Sequence, residues 1–204
     1  MKTAARDVLE TLILTLLIFL LVRSVVQNFK VEGRSMEPTL LNGQYLLINK
    51  ATYWRVEGQV LDRLAPGVEA AGGNGDSPSR YLFGPPQRGD IIVFRYPKDP
   101  SRDFIKRVIA VPGDVVEVRN GVVYVNWQAL KEDYTAAAPN YPFAAERVPP
   151  GNYFVLGDNR NNSSDSHVWG LVPEGNIIVK AWLSYWPPDK WGAIVEPSEA
   201  PAGG

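Results

Sequence analysis

The sequence predicts a mainly β protein in which a single N-terminal transmembrane helix precedes an all-β domain. An apolar stretch lies near the N-terminus, between residues 8 and 29. Beyond residue 30, short runs of β-branched and aromatic residues alternate with turns marked by Pro and Gly, and no stretch shows sustained helical periodicity. The dipeptide Asn120-Gly121 separates two of these runs, and it strongly favours a two-residue hairpin because both residues tolerate positive φ.

The N-terminal helix is predicted from the apolar run Thr11–Val22, which lies between Glu10 and Arg23. Alone, this run is too short to span a bilayer and is typical of a signal peptide or of a buried helix. The longer stretch Val8–Phe29 has 22 residues, which can span at about 1.5 Å per residue if Glu10 and Arg23 reach the two interfaces. No small-residue cleavage site follows it, so an uncleaved membrane anchor over residues 1–29 is favoured over a removed signal peptide.

The domain after the anchor, residues 30–195, is predicted to be built from short strands. These strands are expected at Gln44–Asn49, Asp90–Phe94, Phe104–Val111, Val115–Arg119, Val122–Asn126, Tyr153–Leu156 and Ile177–Trp182.

Three stretches depart from this strand pattern. Tyr53–Pro86 is rich in Gly, Pro, Ala and Ser and is predicted to be a flexible loop insert. Tyr134–Pro150 has a similar composition and is also predicted to be a loop. The tail, residues 196–204, is predicted to be disordered.

The composition excludes several classes of site. The 21 basic and 22 acidic residues almost cancel, so the chain lacks the electrostatic footprint of a nucleic-acid-binding protein. There is no cysteine, which excludes disulfides, thiol nucleophiles and thiolate metal ligands, and there is a single histidine. With no cysteine and one histidine, the chain has few of the side chains that the common proteolytic and metal sites require.

A serine and a lysine form a candidate pair for acyl transfer that does not depend on histidine. Ser35 lies in Ser35–Leu40, where Pro38 restricts Glu37 to extended geometry and so favours a fixed backbone. The segment lacks the G-x-S-x-G pattern of α/β-hydrolases, and no serine in the chain is followed by lysine three residues later. Taken alone, this serine is an ordinary polar turn residue.

Lys106 lies within the apolar run Phe104–Ile109, where strand alternation places it on one face with Phe104 and Val108. Burial there would lower the pKa of the amine from its usual value of about 10.4, because the charged form loses its hydration. A neutral amine could then accept the proton of Ser35 as a general base. The plain alternative is an edge-strand lysine whose side chain reaches water.

A third stretch, Gly157–Ser166, is a dense cluster of Asp, Asn, Arg and Ser, which on composition alone is typical of a hydrophilic turn. Together with Ser35–Leu40, Arg88–Phe94 and Lys106–Asp114, it resembles the sequence boxes of the type I signal peptidases of bacteria and organelles. These are membrane-bound serine proteases with a Ser/Lys dyad that remove signal peptides from exported proteins. Several blocks in order behind a membrane anchor are far more specific than any single block.

The resemblance implies a signal-peptidase-like all-β catalytic domain in which Ser35 is the nucleophile and Lys106 the general base. Some members of the family carry a serine two residues before the nucleophile as an oxyanion donor. This chain has Gly33 at that position, so the backbone N–H of Ser35 is the main candidate donor.

The resemblance also implies that the third stretch supports the dyad. Ser163 is expected to hydrogen-bond the amine of Lys106 and to orient its lone pair. Asp158 is expected to pair with Arg107, and Asp165 is expected to brace the loop. The neighbouring serines, Ser164 and Ser166, are expected to be surface residues.

Two further features depart from the family pattern, besides Gly33. The loop commonly ends Asp-Ser-Arg in the family, whereas here it ends Asp165-Ser166-His167, so that an Asp165–His167 pair is expected in place of the usual acid–base pair. Ser35 and Lys106 are also unusually far apart in sequence, which we attribute to the insert at 53–86.

No metal or organic cofactor is implied for this chemistry, and no oligomeric state. The implied partners are preproteins that carry signal peptides, and membrane lipid, with no nucleic acid. The family places the N-terminus in the cytoplasm and the catalytic domain on the outer face of the cell membrane, with the thylakoid or another internal membrane as an alternative. Charge does not settle this orientation, because basic residues flank the apolar stretch on both sides.

Two other functions remain open at this point. One is a Ser/Lys self-cleaving protease of the kind found in SOS-response repressors, although nothing here resembles their DNA-binding domain. The other is a membrane-anchored binding protein whose protease site has decayed, with His167 as the first sign. Cleavage of a preprotein before and after Ser35→Ala distinguishes an enzyme from a binding protein.

Overall fold

The computed structural model describes residues 2–49, 55–57, 79–81 and 84–194. Most of the predicted insert at Tyr53–Pro86 and the whole of the predicted tail at 196–204 lie outside the described residues.

The chain begins with helix α1, Lys2–Val25, which contains 24 residues. The helix begins and ends earlier than the predicted span of residues 8–29, because Val26–Lys30 forms strand β1. Large apolar side chains between Val8 and Leu20 are exposed on α1. In the part of the chain that the structure describes, no helix combines the length and the apolarity of a membrane span.

Strand β1 pairs antiparallel with β2, Tyr45–Asn49, so the helix leads directly into the sheet of the domain. Two short strands, β3 (Arg55–Glu57) and β4 (Ser79–Tyr81), pair with each other within the region predicted to be a loop insert.

The remaining elements follow in chain order. They are β5 (Ile91–Tyr96), β6 (Asp99–Ala110), β7 (Val115–Arg119), β8 (Val122–Val125), β9 (Gln128–Ala129), β10 (Phe143–Arg147), β11 (Asn152–Leu156), α2 (Ser166–Trp169), β12 (Val172–Pro173), β13 (Ile177–Trp186) and β14 (Gly192–Ala193), with 3₁₀ turns at Arg160–Asn162, Glu174–Asn176 and Pro188–Lys190.

Two β-sheets form the body of the described domain. The larger has eight strands in the order β1-β2-β13-β5-β6-β11-β12, with β14 beside β13. The smaller has four strands in the order β10-β7-β8-β9, and its β7–β8 hairpin turns at Asn120-Gly121, where both residues have positive φ as predicted. The predicted fold class, mainly β, is confirmed, and every predicted strand segment forms a strand.

Some strand boundaries differ from the prediction for identifiable reasons. β6 begins at Asp99 rather than Phe104, because its first residues are polar and largely exposed and so show no apolar alternation. β13 continues past Trp182 to Trp186, and irregularities in its pairing with β2 disrupt the alternation there. β10 lies within Tyr134–Pro150, which was predicted to be a loop; that prediction is wrong here, since β10 is an exposed edge strand with no apolar periodicity.

The large sheet fixes the segment that carries Ser35. Val31, Met36 and Leu40 are fully buried, and they pack in one cluster with side chains of β2, β5, β6 and β13. The three apolar side chains flank Ser35 on both sides, so the core anchors the backbone on which the serine lies.

Candidate active site

Ser35 lies in a compact turn between β1 and β2. Two backbone hydrogen bonds close this turn, from Glu37 N to the carbonyl of Arg34 at 3.2 Å and from Leu40 N to the carbonyl of Met36 at 2.9 Å. Gly33 has φ of +90°, a conformation that favours glycine, so the glycine at this position has a backbone role.

Lys106 projects from the centre of β6 toward this serine. Its Nζ donates to Ser35 Oγ at 2.7 Å and to the carbonyl of Ile105 at 2.9 Å. The side chain is buried, and the amine lies 5.5 Å from the centroid of the Phe104 ring. The two candidate residues, 71 positions apart in sequence, are therefore in direct contact.

The environment of the amine favours its neutral form. Burial lowers the pKa of Lys106 to about 8, although the carboxylates of Asp165 and Asp158 oppose this shift. Neither carboxylate is hydrogen-bonded to the amine, so each acts on it only over a distance. At neutral pH a useful fraction of the amine is unprotonated, as a general base requires.

The next residue, Arg107, lies on the opposite face of β6 and forms a buried ion pair. Its Nε and Nη2 donate to the two carboxylate oxygens of Asp158 at 2.8 and 2.7 Å, and Nη1 donates to the carbonyl of Gly89 at 2.9 Å. The side chains of both partners are almost completely inaccessible to solvent. The expected Asp158–Arg107 contact is thus present, and it joins β6 to the loop that follows β11.

That loop also contacts the nucleophile segment, through a residue that the sequence did not single out. Asn159 donates from its backbone N–H to the carbonyl of Ser35 at 3.0 Å and from Nδ2 to the carbonyl of Arg34 at 3.0 Å. Gly157 permits this approach, because a Cβ at that position would collide with the carbonyl of Ser35 and with the side chain of Ser163.

Ser163 does not make the hydrogen bond expected of it. Its Oγ is buried and has no hydrogen-bond partner among the described residues. The amine of Lys106 donates to Ser35 and to the carbonyl of Ile105 instead. Ser163 lies close to the dyad without contacting the base, packed beside Gly157.

Asp165 is fully buried and braces the loop as expected. Its Oδ2 accepts from Gly157 N at 2.9 Å, and its Oδ1 lies 2.6 Å from His167 Nδ1, which forms the pair expected where the family has an arginine. The imidazole of His167 stacks on Tyr141 with ring centroids 3.7 Å apart. The prediction that Ser166 is a surface residue is wrong, because Ser166 is buried and accepts from Val155 N at 2.9 Å.

The segment between β9 and β10, residues 130–142, contacts the loop that follows β11. Glu132 accepts a hydrogen bond from Nη1 of the buried Arg160 at 2.5 Å. The ring of Tyr134 lies under the guanidinium of Arg107 at 4.1 Å. Asn161 accepts from the backbone of the same segment at 2.8 Å and donates to it at 2.9 Å. No local sequence signal could have found these contacts, since the partners lie far apart in the chain.

A cleft of about 520 Å³ opens beside the Ser35–Lys106 pair. Its walls include Phe29 and Lys30 at the end of β1, and Phe104 and Ile105 from β6. The cleft therefore combines a serine hydroxyl, a buried amine and residues from two strands, an arrangement that suits an extended peptide.

Comparison with known proteins gives consistent matches over most of the chain. Residues 5–186 match the family model described as signal peptidase, peptidase S26. A probable signal peptidase I-1 of Synechocystis sp. is 39% identical over 93% of this chain and 86% of that protein. Signal peptidase I of Pseudomonas fluorescens is 34% identical over 86% of this chain and 71% of its own length. Thylakoidal processing peptidase 1 of Arabidopsis thaliana is 43% identical over 54% of this chain and 35% of that protein.

Replacing the buried amine is expected to stabilise the fold while it removes the base. Lys106→Met should raise the free energy of unfolding at pH 7 by about 1–3 kcal/mol, because folding buries an amine that is still mostly charged at this pH, whereas methionine carries no charge to desolvate. The native pKa of Lys106 is lowered to about 8. The native chain therefore gains stability as pH rises from there to about 10.4, where the unfolded lysine also deprotonates, and the advantage of the variant shrinks over that window.

Denaturant unfolding of both forms at pH 7, 9 and 10.5 measures this difference. The exposed Lys131, replaced in Lys131→Met, provides the control and should show no such pH-dependent gain. A Lys106→Met protein that is less stable than the parent at pH 7 would contradict the interpretation that burial of the Lys106 amine costs stability.

Proposed function

This chain belongs to the signal peptidase family, peptidase S26, and we propose that it removes N-terminal signal peptides from exported preproteins with a Ser35–Lys106 dyad. It is a hydrolase of the serine protease class. The observation that carries the assignment of the dyad is the 2.7 Å contact between Ser35 Oγ and the buried amine of Lys106.

The proposed reaction has two stages, acylation of Ser35 and hydrolysis of the acyl-enzyme. Ser35 Oγ attacks the scissile carbonyl while the neutral amine of Lys106 takes the hydroxyl proton. The tetrahedral intermediate collapses to an acyl-enzyme as the ammonium of Lys106 gives that proton to the leaving amine. Lys106 then deprotonates a water that attacks the ester, and Ser35 regains its proton as the cleaved signal peptide leaves.

The developing oxyanion requires a donor, and the backbone supplies one. None of the hydrogen bonds between described residues uses the N–H of Ser35. Gly33 has no side chain that could add a second donor. The N–H of Ser35 is therefore available to the oxyanion of an acyl group attached to its own Oγ.

The cleft beside the dyad is the proposed binding site for the substrate. An extended peptide segment would add along the strand edges that line it, with side chains alternating toward and away from the protein. By analogy with the family, small residues at the first and third positions before the cut would enter its apolar parts, near Phe29, Phe104 and Ile105.

Helix α1 is the proposed membrane anchor, with lipid as its partner. Its 24 residues give a length of about 36 Å at 1.5 Å per residue, and its large apolar side chains from Val8 to Leu20 are exposed. We place the N-terminus in the cytoplasm and the catalytic domain on the outer face of the membrane. A thylakoid membrane is an alternative location, because a thylakoidal processing peptidase is among the relatives.

Ser35→Ala and Lys106→Ala should each lower kcat/KM on a preprotein by at least about 10³-fold, because the two groups act as a unit. Ser101→Ala and Lys131→Ala are the matched controls, since both residues are exposed, and both controls should keep the parent rate. Purified protein, a radiolabelled preprotein and circular dichroism spectra of each variant are sufficient.

The two alternatives predict other outcomes. A parent protein that binds but does not cleave preproteins would indicate a binding protein with a decayed site. A Lys106→Ala variant that keeps near-normal turnover would remove the lysine from the mechanism.

The pH dependence of cleavage should report the base. The pKa of Lys106 is lowered to about 8, so kcat/KM should rise with pH through that value and then level off. At pH 7 about a tenth of the amine is neutral, so the plateau should lie roughly tenfold above the rate at pH 7. Phe104→Ala admits water to the amine and should move the acid limb to higher pH.

This profile is measured with a soluble peptide substrate from pH 6 to 10. An acid limb with a midpoint at the value of a solvated lysine would show that the amine is not desolvated in solution.

Truncation separates the anchor from the catalytic domain. Removal of residues 1–25 keeps β1 and should leave the cleavage of soluble peptides intact, while the processing of membrane-embedded preproteins falls because the tether is lost. Removal of residues 1–30 also deletes β1, together with Phe29 and Lys30 of the cleft, and should lower both the melting temperature and peptide cleavage. Equal processing of membrane-embedded preproteins by the parent and the shorter truncation would contradict an anchoring role.

A further inference from the structure

Asn159 uses two donors on two consecutive carbonyls of the nucleophile segment. Its backbone N–H donates to the carbonyl of Ser35 and its Nδ2 donates to the carbonyl of Arg34, each at 3.0 Å. Asn159 and Arg34 are 125 positions apart in sequence, so the contact is a tertiary one.

The side chain of Asn159 does not have the usual role of asparagine at such a position. Asn159 precedes the 3₁₀ turn Arg160–Asn162, where an asparagine commonly accepts a hydrogen bond from the first backbone N–H groups of the turn. Here the side chain makes no such capping bond and reaches across to Arg34 instead. A local turn-forming role therefore does not account for this asparagine.

The carbonyl that Asn159 holds belongs to the same peptide unit as the N–H of Ser35. The Arg34–Ser35 bond is trans, so its C=O and N–H lie in one plane and point in opposite directions. A donor on the carbonyl therefore fixes the direction of the N–H, which points away from the loop of Asn159. The same carbonyl also accepts from Glu37 N at 3.2 Å, and two donors on one carbonyl polarise the amide and strengthen its N–H as a donor.

We propose that Asn159 is a positioning residue that holds the Arg34–Ser35 peptide plane so that the N–H of Ser35 points at the developing oxyanion. The proposal rests on the proposed function, because it assumes that Ser35 is acylated. Asn159 touches neither substrate nor base. It acts only through the peptide unit that it holds.

The structure holds Asn159 itself firmly enough for this role. The preceding residue, Asp158, is locked by two hydrogen bonds to Arg107, and the following residue, Arg160, is buried and bonded to Glu132. Asn162 N donates to the carbonyl of Asn159 at 3.0 Å. Because the residues on both sides of Asn159 are fixed by these contacts, the loop can hold the backbone of the Ser35 segment in a constant position.

Asn159→Ala and Asn159→Asp test the proposal. Alanine removes the side-chain donor, and aspartate keeps nearly the same shape but presents only acceptors to the carbonyl of Arg34. Both variants keep the backbone N–H that bonds Ser35. Asn162→Ala and Asn162→Asp are the matched controls, because Asn162 is exposed on the same loop and its side chain has no hydrogen bond among the described residues.

We expect kcat and kcat/KM on a soluble peptide to fall together by about 10- to 100-fold in both Asn159 variants, with KM unchanged, because the lost interaction exists only in the transition state. Affinity for a peptide aldehyde, whose adduct with Ser35 carries the oxyanion, should fall by the same factor. Affinity for the cleaved product peptide and the midpoint of the acid limb in Asn159→Ala should stay at the parent values. The Asn162 controls should match the parent in every measurement.

Three outcomes would overturn the proposal. They are full kcat in a folded Asn159→Ala protein, a loss that appears only in KM, and a loss explained by a shifted acid limb. If Asn159→Ala does not fold, the near-isosteric Asn159→Asp decides by the same three criteria, with Asn162→Asp correcting for the added charge. Ser35→Ala is measured in parallel. An active Ser35→Ala protein would refute the proposed function. If Ser35→Ala is inactive and Asn159→Ala is fully active, only the positioning role of Asn159 is refuted.

Discussion

The proposed chemistry of this protein depends on the burial of one amine, Lys106, within a β-sheet. Strand β6 carries two consecutive basic residues, which lie on opposite faces of the strand in different surroundings. Lys106 lies among apolar side chains and contacts Ser35, and its burial lowers the pKa of the amine to about 8. Arg107 instead donates two hydrogen bonds to the carboxylate of Asp158. Strand alternation therefore lets adjacent residues serve as the proposed base and as one half of a structural ion pair.

The loop after β11 places two carboxylates near Lys106, and their charge opposes the lowering of its pKa. Asp158 and Asp165 both raise the pKa of Lys106, against the larger effect of burial. Each carboxylate is occupied by other partners: Asp158 by Arg107, and Asp165 by the backbone N–H of Gly157 and the imidazole of His167. Neither carboxylate hydrogen-bonds the amine, so both raise its pKa through charge alone. The Asp158–Arg107 pair also joins the loop to β6, so one interaction serves both electrostatics and geometry.

Local features were predictable from the sequence, whereas contacts between distant segments were not. The strand runs, the Asn-Gly hairpin and the face of β6 that carries Lys106 each follow from period-2 patterning or turn chemistry within a few residues. Asn159 and Glu132 were missed because their partners, Arg34 and Arg160, lie elsewhere in the chain. Ser166 was assigned to the surface because polar composition marks a turn, but composition does not reveal that a hydroxyl will accept the backbone N–H of a core strand.

The junction between α1 and β1 links the proposed anchor to the chemistry. β1 begins at the residue after the helix, and its last two residues, Phe29 and Lys30, line the cleft. At about 3.3 Å per residue, the five residues of β1 place the cleft within roughly 17 Å of the end of α1. β1 is also paired along its length with β2, so it is a rigid connection rather than a flexible tether. If α1 lies in a bilayer, the scissile bond must then be presented close to the membrane surface, which is where the end of a membrane-inserted signal peptide would lie.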